Sequence, residues 1–140
     1  KFVLAVLLSL ESFLRSATVS LAQNTSYPGA LTHTPKSFRC FLHDLLKAIG
    51  TNKMGLLAHI STYCGAKAIG LKTPRQTHVD IYHPRYAVRM LKADFAAGIE
   101  APTLLYVTRN ADGSATMTYR KPTTLFAPYK APNLDAMARE

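Results

Sequence analysis

Three polar side chains, His78, Asp80 and Tyr82, alternate with apolar ones along a predicted strand. Because successive side chains of a strand point to opposite faces of its sheet, we expect these three to share one face. A histidine and a carboxylate two residues apart can act as an acid–base couple or supply half of a metal site. Further ligands would have to come from His59 or His33, if the sheet order placed them nearby. The other interpretation is a solvated sheet face or a subunit interface.

The remaining reactive side chains match no familiar site. Cys40 and Cys64 belong to no CxxC or CxxCH pair, so the sequence carries no zinc-ribbon, thioredoxin-type or c-type haem signature. They are interpreted either as one disulfide or as free, buried thiols. The GxSxG, GxxxxGK and GxGxxG patterns are also missing. We therefore predict no catalytic residue, no metal and no cofactor, and a protein that is not an enzyme.

Local sequence signals predict the elements that would position these side chains. Ser37 stands at the N-cap of an amphipathic helix that ends near Gly50. Pro84 begins the next helix in a favoured first-turn position, and Asp112-Gly113 is a hairpin signal. The predicted strands are Ala30–Thr34, Leu56–Tyr63, Arg75–His83, Thr103–Arg109 and Ser114–Arg120, with a helical turn at Cys64–Leu71 and a last helix at Asn133–Arg139.

These elements predict an α+β fold for a single domain, residues 30–140. Its architecture would be one antiparallel sheet of about four to five strands with helices packed on a single face. A polar linker, residues 23–29, leads into the domain. An N-terminal transmembrane helix, residues 1–22, precedes the linker.

The segment 1–22 is mostly apolar, and Glu11 and Arg15 are its only charges after the terminal lysine. As a helix it would reach about 33 Å, against about 30 Å of bilayer hydrocarbon. We predict a membrane-anchor helix; an uncleaved signal segment and an interfacial helix are the other interpretations. Small polar residues share one side of this helix, as they do where helices meet in lipid. The predicted helix–helix interface residues are Ser9, Glu11, Ser12, Arg15 and Ser16.

The charge of the chain is strongly positive, with 17 Lys and Arg against 8 Asp and Glu. Leaving out Lys1, Glu11 and Arg15 gives 15 basic and 7 acidic residues, a net charge of +8 after the anchor. Such a surface attracts anions, and we predict phospholipid headgroups or acidic protein surfaces as partners. The basic residues form no long run, which argues against nucleic acid.

Four stretches carry a resemblance to a known family. From about residue 30 to 129 the chain resembles the family of domain of unknown function 302, bacterial proteins with a TATA-binding-protein-like α+β fold. The resemblance implies that fold and no agreed catalytic residues. The matching stretches are AKAIGLKTPRQ at 66–76, the strand end His83-Pro84, MLKADFAAGIEAP at 90–102, and the hairpin with Asp112-Gly113, Tyr119 and Lys121-Pro122.

The anchor and the basic domain together predict a non-catalytic accessory subunit of a multi-subunit membrane complex, such as a respiratory or photosynthetic electron-transfer assembly. Its partners would be other membrane-protein subunits, and the domain would lie in the periplasm of a bacterium. The alternative is a small-molecule or metal-binding domain, or an enzyme, that uses the strand face of His78, Asp80 and Tyr82. A third interpretation, an anion or nucleic-acid binder, predicts a continuous Lys/Arg stripe.

Overall fold

A computed structural model describes residues 30–140 of the chain. The predicted anchor and linker, residues 1–29, lie outside the described residues. Among residues 30–140, no helix combines the length and the apolar character needed to cross a membrane. Also outside the described residues are the predicted interface residues Ser9, Glu11, Ser12, Arg15 and Ser16.

Five strands form an antiparallel sheet with the order β1-β5-β4-β3-β2. This confirms the predicted α+β class and the antiparallel sheet. The strands are β1 (Ala30–Ser37), β2 (Gly55–Ile60), β3 (Gln76–Tyr82), β4 (Thr103–Arg109) and β5 (Ser114–Tyr119). The helices are α1 (Phe38–Thr51), α2 (Thr62–Ala68), α3 (Pro84–Ala93), α4 (Pro122–Phe126) and α5 (Pro132–Met137), with 3₁₀ turns at Phe95–Glu100 and Ala127–Tyr129.

Helix α1 packs on one face of the sheet. Its start is fixed as predicted, because the Ser37 hydroxyl accepts a hydrogen bond of 3.3 Å from the Cys40 amide. Near its end, Ile49 packs in a core cluster with Val79 of β3 and Leu105 of β4. Since side chains alternate along a strand, the residues between these core positions project from the opposite face.

The later helices form a second core of their own, which we call the C-terminal cluster. Its fully or almost fully buried members come from α3, α4, α5 and the 3₁₀ turn before β4. The predicted packing on a single sheet face therefore describes α1, while the helices after β3 pack chiefly against one another. The buried residues of the C-terminal cluster are Met90, Ala97, Phe126, Leu134 and Met137.

Strand β2 ends at Ile60, three residues before its predicted end at Tyr63. The cause is Ser61, whose hydroxyl accepts a hydrogen bond of 3.4 Å from the Cys64 amide and so caps α2. The same hydroxyl donates to the Gln76 carbonyl at 3.1 Å, which ties the start of α2 to β3. The capped start of α2 thus replaces the last residues of the expected strand.

Cys40 and Cys64 are both free and exposed, so neither the disulfide nor the buried-thiol interpretation is right. Cys40 lies in the first turn of α1. The buried residue of that helix is Ile49, near its other end. Helix α2 carries Cys64 and buries only Ala66.

Candidate functional site

The sheet face opposite α1 forms the floor of a groove of about 1540 Å³. Its floor comes from alternate positions of the strands, and its walls come from α3 and the C-terminal helices. Polar and aromatic side chains dominate the floor, whereas the walls are mainly apolar. Floor residues include His33, Gln76, His78, Tyr106, Thr116 and Thr118, and wall residues include Tyr86, Met90, Phe126 and Met137.

The centre of the floor is an aromatic pair. His78 and Tyr106 are direct partners across β3 and β4, and their rings stack with centroids 4.7 Å apart and planes 23° from parallel. Both side chains are half-buried. Cross-strand pairs of this kind stabilise a sheet, and their exposed ring face offers a flat surface to a ligand.

A chain of hydrogen bonds crosses the floor from β1 to the β4–β5 turn. Thr116 donates to Asn110 Oδ1 at 3.0 Å, and the hydroxyl lies 3.0 Å from His33 Nδ1. Because the hydroxyl of Thr116 has one proton and donates it to Asn110, His33 Nδ1 is the donor in its bond to Thr116. Asn110 Nδ2 then donates to Ser114 Oγ at 2.8 Å, and Ser114 Oγ donates to Asp112 at 2.6 Å.

The carboxylate at the end of this chain is held in its charged form. Hydrogen bonds from the hydroxyl and the amide of Ser114 lower the pKa of Asp112, and the nearby His33 adds to the effect. The following residue, Gly113, has φ of +88°, the left-handed conformation that a tight hairpin turn requires. The turn sequence thus both closes the hairpin and orients the polar chain.

A second cleft of about 950 Å³ adjoins the groove at this end, and we call it the arginine cleft. It is lined by Arg39, Arg75 and Arg109, and none of these makes an ion pair within residues 30–140. The Arg109 amide donates to the Arg75 carbonyl at 2.9 Å, so the two residues are neighbours across the strand ends. His33, Arg75 and Arg109 line both the groove and the arginine cleft.

Carboxylates mark the other end of the groove, and both have basic partners. Glu140 accepts two hydrogen bonds from the Arg89 guanidinium, at 2.7 and 2.6 Å, which lower the pKa of Glu140. Glu100 lies 3.6 Å from the Arg120 guanidinium and accepts a bond of 3.0 Å from the Tyr129 hydroxyl. Burial, and then this bond, raise the pKa of Tyr129. Charge is therefore largely balanced here and unbalanced at the arginine cleft.

The three residues predicted to act together do share a strand face, but only two of them line the groove. His78 and Tyr82 are lining residues, whereas Asp80 lies beside them without reaching it. The histidines considered as further metal ligands do not join them. His59 pairs with Val79 and so lies on the other sheet face. His33 is three strands away, a separation of about 14 Å.

Within residues 30–140, no group of three or more His, Cys, Asp and Glu side chains is arranged to hold a metal ion. The exposed Cys40 and the exposed His43 lie together in α1 without such a set around them. Residues from four strands supply the groove with groups for stacking, hydrogen bonding and charge.

The sequence did not identify Tyr106, Thr116 or the arginine cleft. Thr116 and Thr118 alternate with core positions of β5, as the groove-facing residues of β3 do, and this pattern could have marked them as floor residues. The arginines gave no such signal. They are far apart in the sequence, and only the strand order brings them together.

Together these features define a small α+β domain with a helix on one sheet face and an open groove on the other. The family model described as "Domain of unknown function DUF302" matches residues 31–140. The chain belongs to that family, which confirms the resemblance found in the sequence.

Among solved structures, an uncharacterized conserved DUF302 protein from Bacillus stearothermophilus is similar to this chain. The two share 20% sequence identity, with a TM-score of 0.69, and the alignment covers 79% of this chain and 86% of the other. At that identity the likeness shows the fold. No curated protein matches the chain.

Proposed function

We propose that this domain binds a small organic molecule in the groove, with the ligand lying against the stacked rings of His78 and Tyr106. The groove is the observation that carries the proposal: it has a stacked aromatic floor and apolar walls, and it lies on the sheet face that α1 leaves open. Ligand sites in proteins are typically concave, mostly apolar and furnished with a few polar groups.

The side chains favour a ligand with a flat, apolar body. A planar ring can stack on the free face of Tyr106 or His78, because offset ring contacts are favourable. Tyr86 and Leu104 also line the groove and are 39% and 42% exposed, so they add apolar surface for such a ligand. Threonine hydroxyls on the floor can orient polar substituents of such a molecule.

This proposal is tested with N-phenyl-1-naphthylamine, a neutral dye with a planar naphthalene ring whose fluorescence rises in apolar surroundings. The full chain is expected to bind it, and Tyr106→Ala is expected to weaken binding about tenfold, as the loss of about 1.4 kcal/mol of ring contact implies. His78→Ala should act in the same direction. The measurement is a fluorescence titration of each variant.

His59→Ala is the matched control, because His59 lies on the strand next to His78 but on the opposite sheet face. It should leave the dissociation constant unchanged. If the dye does not bind, or if Tyr106→Ala affects it no more than His59→Ala does, the groove is not a ligand site.

A second candidate function is the predicted accessory role at a membrane, and an exposed apolar surface favours it. Phe95 and Ile99, in the 3₁₀ turn after α3, are 83% and 81% exposed. Val88 and Leu91 of α3 are also exposed, and the same helix carries Arg85, Arg89 and Lys92. Apolar side chains flanked by basic ones suit the surface of an anionic bilayer.

Because the chain contains no tryptophan, Phe95→Trp provides a single reporter for this second role. Its emission is expected to shift to shorter wavelength on vesicles of phosphatidylglycerol, and much less on phosphatidylcholine, because basic residues draw the domain to anionic lipid. Leu71→Trp, at another exposed apolar position, is the control that should not shift. Equal shifts at both positions would refute a docking face at Phe95.

The anchor lies outside the described residues and stays a prediction. The periplasmic location, the partner subunits and the host complex stay predictions as well. In this second proposal the domain would lie on the bilayer through the surface around Phe95 and Ile99.

A further inference from the structure

We infer that the ligand of the groove carries an anionic group, and that the arginine cleft binds this group through Arg75 and Arg109. The inference builds on the proposed function and names the class of ligand: a small molecule with a flat apolar body and a carboxylate, sulfonate or phosphate at one end. The groove and the arginine cleft share His33, Arg75 and Arg109 as lining residues, so the proposed ligand would place its ring in the groove and its anionic group at the cleft.

The distribution of charge along the groove supports this assignment. At one end, Glu100 and Glu140 face the guanidinium groups of Arg120 and Arg89. At the other end, three arginines line the arginine cleft, and none of them forms an ion pair within residues 30–140. The groove is therefore polarised, and an anionic group is attracted to the arginine end.

The one carboxylate in the arginine cleft does not cancel this charge. Asp112 directs its Oδ1 atom at the hydroxyl and amide of Ser114, at 2.6 and 3.0 Å. It is engaged by the turn and forms no ion pair with Arg75 or Arg109 within the described residues. Three guanidinium groups against one carboxylate leave a net positive charge at the cleft.

Arg75 also keeps hydrogen-bond donors available for an oxyanion. Arg75 lies over the ring of Tyr63, with its guanidinium carbon 5.0 Å from the ring centroid. This contact uses the flat face of the guanidinium and leaves the N–H groups at its edge able to donate. Paired N–H donors match the oxygens of a carboxylate or phosphate, and the charge strengthens both hydrogen bonds.

His33 contributes to both the groove and the arginine cleft. Its Nδ1–H donates to Thr116, and this hydrogen bond fixes the ring where the groove and the arginine cleft share lining residues. The ring is thereby held beside the proposed position of the anion.

Two dyes that differ in one group test the inference. 8-Anilinonaphthalene-1-sulfonate has the same ring system as N-phenyl-1-naphthylamine and adds a sulfonate. The full chain is expected to bind the sulfonate dye about tenfold more tightly, and Arg109→Gln should remove this difference. Arg109→Gln should weaken binding of the sulfonate dye about tenfold more than binding of the neutral dye, and inorganic phosphate should compete only with the sulfonate dye.

Arg85→Gln is the matched control, because Arg85 has the same charge but lines neither the groove nor the arginine cleft. The inference is overturned if the two dyes bind the unaltered chain equally, or if Arg85→Gln weakens the sulfonate dye as much as Arg109→Gln does. The proposed function is refuted by a different result: the neutral dye does not bind, or it binds equally well to Tyr106→Ala. Sulfonate binding that still required Arg109 would then support the arginine cleft without the groove.

Discussion

Leu134→Ala is expected to lower the free energy of unfolding by about 2–5 kcal/mol. Leu134 is completely buried at the centre of the C-terminal cluster, among Met90, Ala97, Phe126 and Met137. Removing three of its carbon atoms forfeits their burial and leaves a cavity that short helices can refill only in part. The measurement is urea denaturation of the variant and of the unaltered chain, followed by circular dichroism.

The control for this prediction is Leu57→Ala, which removes the same atoms from a side chain that is 58% exposed. It should change stability by less than about 0.5 kcal/mol. Equal losses in the two variants would mean that the C-terminal cluster contributes no more to stability than exposed surface does.

The cluster also bears on ligand binding, because Met90, Phe126 and Met137 are both members of it and walls of the groove. Leu134 is a member that does not line the groove. A cavity at Leu134 should therefore weaken binding of the neutral dye less than Tyr106→Ala does. The groove is built from one rigid sheet floor and one wall of short helices that depend on their shared core.

Elements defined by local chemistry could be predicted well from the sequence. Strand β4 has the bounds expected for it, Thr103–Arg109, because its apolar run is followed by the Asp112-Gly113 turn. Helix α1 begins after Ser37 as expected, because an N-cap serine satisfies the free amides of the first turn. In each case the residues that decide the structure lie within a few positions of one another.

Elements that depend on distant contacts could not be predicted in the same way. Helix α4, Pro122–Phe126, has only five residues and lacks a side-chain cap. So short a helix is not stable by itself and forms here because Phe126 is buried in the C-terminal cluster. The sequence of these five residues does not indicate that Phe126 packs against the other residues of the C-terminal cluster.

The candidate site shows the same division. Alternation correctly placed His78 and Tyr82 on one face, since that pattern is a property of a single strand. Which residues lie next to them on the sheet depends on strand order. That order places Tyr106 beside His78 and separates His33 from His78 by the width of three strands. The stacked pair and the arginine cleft are therefore products of topology.

Thr116→Val is expected to cost about 1–3 kcal/mol of stability and to weaken binding of the sulfonate dye. The valine keeps the shape of threonine but leaves Asn110 Oδ1 and His33 Nδ1 without their partner. Thr116 is thus a positioning residue for His33. Binding of the neutral dye should stay the same, since the rings of His78 and Tyr106 are untouched, and titrating both dyes on this variant separates the two effects.

Thr118→Val is the closest available control, because Thr118 lies two residues further along β5 on the same groove-facing side. Within residues 30–140 it has no part in the hydrogen-bond chain from His33 to Asp112. Valine at 118 should therefore leave the preference for the sulfonate dye intact. If both valine variants lost that preference equally, a general change in the floor would be responsible. Loss in Thr116→Val alone would show that the chain of hydrogen bonds holds His33 in position for the anion.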